Sequence, residues 1–143
     1  MIEQYGVLPY RVEASGELRI LLVTSRRTGR WVAPKGNPMP ARLPHEAAAR
    51  EAYEEAGIEG EIGSAPIGAF RYRKGWRFIL PLRAEVTIFP LRVTRELDDW
   101  PEAGQRRREW FSRAEAAEAV REPGLRRLIL SFEHDEGLSI PPR

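Results

Sequence analysis

Cysteine is absent from the 143 residues, which excludes a disulfide framework and any thiolate metal site. Histidine is nearly absent: His45 and His134 are the only two, and zinc is a poor expectation for such a chain. A metal here must be held by oxygen, which points to Mg2+ or Mn2+. No apolar run approaches the roughly 18 residues of a membrane helix, so no membrane partner is expected. The opening Met1-Ile2-Glu3-Gln4-Tyr5 lacks the basic stretch and apolar core of a signal peptide, so a cytoplasmic protein is the default expectation. Large net charge is lacking too, since 23 Lys and Arg against 21 Asp and Glu leave +2. Repeats, low-complexity tracts and linkers are missing, and a single domain over residues 1–143 follows.

What is present is a strand-rich pattern with three helices. Tyr5 to Val12 and Leu18 to Ser25 read as strands, and Trp31-Val32-Ala33 as a short extended piece ending at Pro34. Pro44 suits the first turn of a helix running to about Ala56, rich in alanine. Gly57 then stops it in the left-handed conformation. Glu61 to Arg73 and Trp76 to Phe89 read as two strands joined near Lys74-Gly75, followed by a polar loop over Glu96 to Gln105. Glu109-Trp110-Phe111 is a short strand. Ser112 and Glu115 form a capping box for a helix to about Val120. A last helix from Pro123 to about Glu133 presents Leu125, Leu128, Ile129 and Phe132, and the tail from Ser139 is expected to fray. The pattern implies an α+β domain, a mixed sheet with helices on its faces.

On a wheel of about 100° per residue, Glu51, Glu54 and Glu55 share one face of the Pro44–Ala56 helix. Ala49, Ala52 and Ala56 occupy the opposite side, facing a core. Stability does not explain this carboxylate face. Like charges three and four apart repel, and the helix dipole disfavours acids in the last turn. Bound cations would relieve the repulsion, and converging carboxylates suit magnesium bridging to phosphate. Just upstream, Pro34-Lys35-Gly36 offers a rigid turn, a cation for a phosphate oxygen and a glycine that admits close backbone approach. Arginine clusters at residues 26–27, 71–77 and 106–108 read either as solvated faces or as a phosphate-neutralising pocket.

These residues resemble the Nudix signature: Gly, five residues, Glu, seven residues, then Arg-Glu, an aliphatic, any residue, Glu-Glu, any residue, Gly and an aliphatic. Gly36 opens it, and Arg50-Glu51-Ala52-Tyr53-Glu54-Glu55-Ala56-Gly57-Ile58 closes it at the required separation, covering about a sixth of the chain. Two positions depart from the pattern: Arg42 stands where the family has its first Glu, and Ala52 replaces a larger aliphatic. The resemblance implies the α/β/α sandwich of the Nudix fold with its loop-helix-loop. It also implies a magnesium- or manganese-dependent phosphoanhydride hydrolase. In that reading Glu51, Glu54 and Glu55 hold metal, with Glu51 and Glu55 the principal ligands, and Arg50 orients them. Lys35 and Gly36 meet the substrate.

A narrower likeness, over residues 22–36, is to the diphosphoinositol polyphosphate and diadenosine polyphosphate hydrolase branch. It makes Ser25 and Arg26 candidates for phosphate contact, with Arg42 a further candidate. The general base lies among the helix glutamates or the loop acids Glu96, Asp98, Asp99 and Glu102. Trp76, Trp100 and Trp110 are candidates to stack on a base, set against the plainer reading of core tryptophans. The expected partner is a small polyphosphate; inositol pyrophosphates, dinucleoside polyphosphates, nucleoside triphosphates and capped RNA all fit. The chain is compatible with a monomer or a homodimer. Two other classes compete: a non-catalytic Nudix-like binding module, and a nucleic-acid binder suggested by the arginines and a pI of 9.3. No recognition helix or interleaved aromatic-basic motif supports the latter.

Overall fold

Alternation of side chains divides this molecule into two cores. The structure is a computed structural model describing residues 1–74 and 82–134. Its elements are β1 (Ile2–Val12), β2 (Leu18–Thr24), β3 (Trp31–Val32), β4 (Lys35–Gly36), α1 (Pro44–Ala56), β5 (Ile58–Ile62), β6 (Gly68–Lys74), β7 (Leu82–Glu96), β8 (Arg108–Ser112), α2 (Arg113–Ala119) and α3 (Pro123–Ser131). Along β1, β2 and β7, successive residues point to opposite faces of the sheet. Leu8, Tyr10, Ile20, Leu22, Val86 and Ile88 join one core, closed by Ala116 and Ala117 of α2 and Leu125 and Ile129 of α3. Val7, Leu21, Val23, Phe89 and Leu91 join the other, closed by Ala48, Ala52 and Ala56 of α1. Helices thus cover both faces of one mixed sheet, the α/β/α arrangement expected.

β1 and β7 run parallel at the centre, from Ile2 opposite Ala84 to Tyr10 opposite Arg92. The other pairings are antiparallel: β1 with β2 and β4, β2 with β3 and β8, and β7 with β5 and β6. β7 corrects two sequence expectations. It continues past Phe89 to Glu96, and the Glu61–Arg73 stretch is two strands, β5 and β6, separated by residues 63–67. The cause is that one long strand serves two partners. Its first half pairs with β6 up to Ile88, and its second half with β5 from Leu91. Pro90, which has no N–H to give, falls at the changeover and offers only its carbonyl, to Gly63 N at 2.9 Å. The strand expected from Trp76, its joint at Gly75 and the tail from Ser139 lie partly or wholly outside the described residues.

α1 begins where expected. Pro44 is its first residue, and the Glu46 carboxylate accepts the Leu43 N–H at 3.0 Å. Gly57 ends it at φ 65°, ψ 38°. A Cβ there would meet the Trp100 ring, so both conformation and space demand glycine. The wheel needs one correction: the buried stripe is Ala47, Ala48, Ala52, Glu55 and Ala56, while Ala49 is half-buried. A carboxylate therefore lies at the margin of the core. α2 is capped as expected, with Ser112 Oγ accepting from Glu115 N and Ser112 N donating to Glu115 Oε1, both at 3.1 Å. Among the described residues no helix is long and apolar enough to cross a membrane.

Candidate active site

The last Glu of the motif sits among cations. Glu55 is 7% exposed, and Glu55 Oε1 accepts the Lys35 N–H from β4 at 3.3 Å. Its other oxygen lies 3.5 Å from Arg106 Nη2. The Arg106 side chain, 9% exposed, donates from Nε to Glu102 at 2.6 Å and from Nη1 to the Thr24 carbonyl at 3.0 Å. Burial pushes the Glu55 carboxyl up to about 8, offset only in part by the Arg106 guanidinium and reinforced by the charge of Glu51. Glu51, half-buried one turn earlier, is also raised, first by burial and then by the charge of Glu54, and it shares a hydrogen bond with Glu55. Gly36 explains how Glu51 fits: a Cβ at that position would collide with the Glu51 carboxyl group. The glycine of the motif lets a carboxylate lie directly on a strand backbone.

Glu54 faces elsewhere. Its carboxylate takes the Arg50 Nε–H at 2.8 Å, an exposed pair one turn apart, and the Arg50 guanidinium lies 4.8 Å from the centre of the Tyr53 ring. Glu51, Glu54 and Glu55 thus do not converge as three ligands, and no group of three acidic or histidine side chains is placed to hold a metal among the described residues. Two do converge. Two adjacent carboxyls, one buried and one half-buried, with raised proton affinity, all-oxygen donors and a backbone pressed against one of them fit a divalent cation. Magnesium needs only one or two carboxylates, filling its remaining positions with water and phosphate oxygens.

Sequence reading missed the cation that faces this pair. Arg106 lies 51 residues beyond Glu55, and its one visible trace was a run of three arginines. The acidic loop reaches the site through Glu102, whose N–H bonds the Glu54 carbonyl at 3.1 Å and whose charge bears on Glu51. Glu96 is turned to Arg11 and Trp110. Trp100 and Trp110 do not stand free to stack on a base. Trp100 donates to the Glu55 carbonyl at 3.0 Å and packs under Arg108, and Trp110 lies beneath Arg11. Trp76 is outside the described residues.

A groove runs outward from Glu55. Its inner part, about 250 Å³, is lined by Gln4, Ser25, Arg26, Lys35, Glu55, Tyr72 and Arg106, among others. Ser25, Arg27, Val32, Lys35 and Tyr72 also line its outer part, about 490 Å³, with Arg30, Arg71, Arg73, Arg121 and Glu122. Tyr72 lines both parts. Its hydroxyl donates to Gln4 Oε1 at 2.7 Å, Lys35 Nζ lies 5.1 Å from its ring centre, and its proton is held up to about 12 by burial and by Glu122 and Glu55. Arg26 reaches Gln105 at 3.0 Å on the inner rim. Arg42 is not in this groove. It lines a separate depression of about 710 Å³ with His45, Arg50 and Tyr53, on the outer side of α1.

Residues 4–132 match the family model described as NUDIX domain. The chain is 34% identical over 142 residues to the mitochondrial Nudix hydrolase 12 of Arabidopsis thaliana, an alignment spanning 89% of this chain and 70% of that protein. It is 34% identical over 115 residues to the mouse diphosphoinositol polyphosphate phosphohydrolase 3-alpha, spanning 79% of this chain and 65% of that one. It thus spans about two thirds of the length of such curated relatives. Among solved structures, a Caenorhabditis elegans Ap4A hydrolase binary complex superposes with a TM-score of 0.68 over 97% of this chain and 98% of that one, at 20% identity, a likeness of fold.

Proposed function

The chain belongs to the NUDIX domain family, and from that premise we propose that it is a metal-dependent hydrolase of a phosphoanhydride bond in a small polyphosphate substrate. The observation that carries this reading is the pair of carboxylates Glu51 and Glu55, the first set against Gly36 and the second lining a groove with few acids and many arginines. Surface acids are ordinarily separated and screened. Here two are driven together at the margin of a core, where their mutual repulsion is useful only to a cation.

Glu51 and Glu55 would hold that cation, Mg2+ or Mn2+. Once bound, it supplies charge neutralisation at the scissile phosphoryl group and a more acidic water. The protein's own residues do the rest. Lys35 and Arg106, flanking Glu55, would neutralise non-bridging oxygens as charge develops on them. Ser25 and Arg26 line the same inner chamber and would orient the phosphate chain. Glu102, held by Arg106 beside Glu51, is the loop acid best placed to take a proton from the attacking water. The Arg50–Glu54 pair fixes the outer edge of α1. The mouse relative is named for diphosphoinositol polyphosphates and the nematode structure for Ap4A. Both are crowded polyanions, and the arginine-lined outer groove suits a substrate with several phosphates.

The test is turnover of a panel of phosphoanhydrides with magnesium, manganese or chelator, for the wild type and Glu55→Gln. Metal-dependent hydrolysis that falls at least a hundredfold in the variant, with an unchanged folded signal, is the expected outcome. Folded wild-type protein that turns over no member of the panel favours a non-catalytic ligand-binding module instead.

A further inference from the structure

Strand pairing sets Gln4, Lys35 and Tyr72 on one face of the sheet beside the groove. Gln4 lies opposite Val86 and Tyr72 opposite Ala84, on the two edges of β7, so their side chains point the same way. Lys35 pairs with Gly6, two residues beyond Gln4 on β1, and shares that face. A Cβ on Gly6 would come within 2.9 Å of the Lys35 Cβ, so the glycine makes room for the lysine stem. The Tyr72 hydroxyl donates to Gln4 Oε1 at 2.7 Å across β7, where Ala84 is too small to intervene. Gln4 is buried, and its Nε2 donates to Asn37 Oδ1 at 3.3 Å. A buried amide engaged at both ends cannot turn without leaving a polar group unpaired, so it fixes the hydroxyl of Tyr72. The ring packs against the core under α2 and α3, and Lys35 Nζ lies over it, 5.1 Å from the centre.

Lysine carries its charge on a flexible four-carbon stem. Left free, such a charge must be ordered each time it meets a phosphoryl oxygen, and that ordering costs rotamer entropy. Here both ends of the residue are held: the backbone N–H by Glu55 Oε1 at 3.3 Å, and the ammonium by the negative face of the Tyr72 ring. We propose that Tyr72, anchored by Gln4, is a positioning residue that holds the Lys35 ammonium in place for the phosphoryl oxygens of the substrate. Lys35 and Tyr72 line both the inner and the outer part of the groove, so the charge is presented to a ligand lying in either. The inference rests on the hydrolase reading for what that charge does. A cation already in place needs no reorganisation as negative charge develops, so its positioning acts on kcat more than on KM.

The variants are Tyr72→Leu, which removes the ring, Tyr72→Phe and Gln4→Met, which keep it and remove its anchor from either side, Lys35→Met, and Tyr72→Leu combined with Lys35→Met. Thermal melting checks that each is folded. The geometric readout needs no substrate. The chain has two lysines, Lys35 and Lys74, so protein carrying carbon-13-labelled lysine gives two ε-methylene signals, and the one absent from Lys35→Met belongs to Lys35. The ring current of Tyr72 should hold its protons upfield; Tyr72→Leu should return them to the position of lysine in a short peptide, and Tyr72→Phe should keep most of the displacement. The kinetic probes are Ap4A and a diphosphoinositol pentakisphosphate, with magnesium. Tyr72→Leu should lower kcat about tenfold and raise KM by less than about twofold. Tyr72→Phe and Gln4→Met should agree with each other at an intermediate loss of about threefold. In the Lys35→Met background the leucine change should cost less than about twofold, because the group it positions is gone. An ε signal that Tyr72→Leu leaves in place, a phenylalanine variant as slow as leucine, or an effect that persists in full without Lys35 overturns the proposal. Wild-type protein that turns over neither probe fails the hydrolase reading, not this one. The ε signal then judges Tyr72, together with calorimetric affinity for inorganic pyrophosphate, which Tyr72→Leu must weaken and Tyr72→Phe must spare.

Discussion

Replacing Arg106 by Met should be among the most damaging single changes outside the apolar cores. The side chain is 9% exposed and joins three segments: the Thr24 carbonyl at the end of β2, Glu102 in the loop after β7, and Glu55 on α1. Methionine keeps most of the aliphatic stem, so lost packing contributes little. What is lost is one charged hydrogen bond at 2.6 Å, one bond to a carbonyl at 3.0 Å and a flanking charge at 3.5 Å, leaving two carboxylates without their cation. Breaking a buried pair from one side costs about 3–5 kcal/mol. Because Glu55 already binds a proton readily, its neutralisation limits the loss, and the lower end, about 3 kcal/mol, is expected. In a domain of this size that lowers Tm by roughly 10 °C.

The assay is thermal unfolding in chelator at pH 6 and pH 8, with Arg106→Met, Glu55→Gln and the double variant. Two features identify the mechanism. The cost of Arg106→Met should be larger at pH 8, where wild-type Glu55 is partly ionised and the lost cation counts, than at pH 6, where Glu55 is already protonated. In the double variant, the two effects should fall short of additivity by about 1 kcal/mol or more, since the charge that lost its partner is gone. A cost below about 1 kcal/mol, or strict additivity with no dependence on pH, refutes the assignment of Arg106 as the partner of Glu55.

Other outcomes follow from the same geometry. Glu55 has a folded proton affinity above its unfolded value, so its contribution is complete below about pH 4.5 and is lost as pH rises through about 8; wild type in chelator should lose stability across that window, Glu55→Gln should lose less, and saturating magnesium should reverse the trend. An unchanged slope in the variant, followed by chemical denaturation, would place the titration elsewhere. Gly57→Ala puts a Cβ at φ 65° against the Trp100 ring, and more than about 1 kcal/mol of destabilisation is expected by urea midpoint; a neutral result would mean the helix end rearranges. Arg42→Glu, which restores the Nudix pattern, should leave KM within about twofold because Arg42 faces another depression; a tenfold rise would show that the loop carries it to the substrate.

Much of this was legible where the cause is local. Pro44 and Gly57 bound α1 because each acts through its own backbone, and Ser112 with Glu115 caps α2 within four residues. The apolar runs of β1 and β2 mark strands, and they are continuous because both faces of the sheet are covered. What was not legible depends on distant partners. Nothing near Pro90 says that β7 changes neighbours there, since β5 and β6 supply the reason. A helical wheel places Glu55 with Glu51 and Glu54, but the depth of each is set by β4 and by Arg106. Arg42, in the same motif as the residues that matter, follows Ala41 at φ 65° and lines a different depression.

The acidic helix also poses a question of stability, and its answer unites these distant pieces. Glu54 and Glu55 occupy the last turn of α1, where the helix dipole opposes them, and no basic residue stands in that turn. The compensation comes from β8 and the segment before it. Arg108 donates to the Ala56 carbonyl at 2.8 Å, to the Gly57 carbonyl at 3.1 Å and to the Leu97 carbonyl at 2.7 Å, placing a full positive charge on the helix terminus. Trp100 lies 4.1 Å from that guanidinium and bonds the Glu55 carbonyl, so the cation is held flat against an aromatic face. Arg106, two residues earlier, turns to the other side and meets the Glu55 carboxylate itself. Arginines at positions 106 and 108 thus answer the two charges that the helix leaves exposed, the dipole at its end and the carboxylate on its flank. The run of arginines that reads in isolation either as a solvated face or as a phosphate-neutralising pocket is, in two of its three members, the counter-charge that lets a carboxylate helix keep its shape.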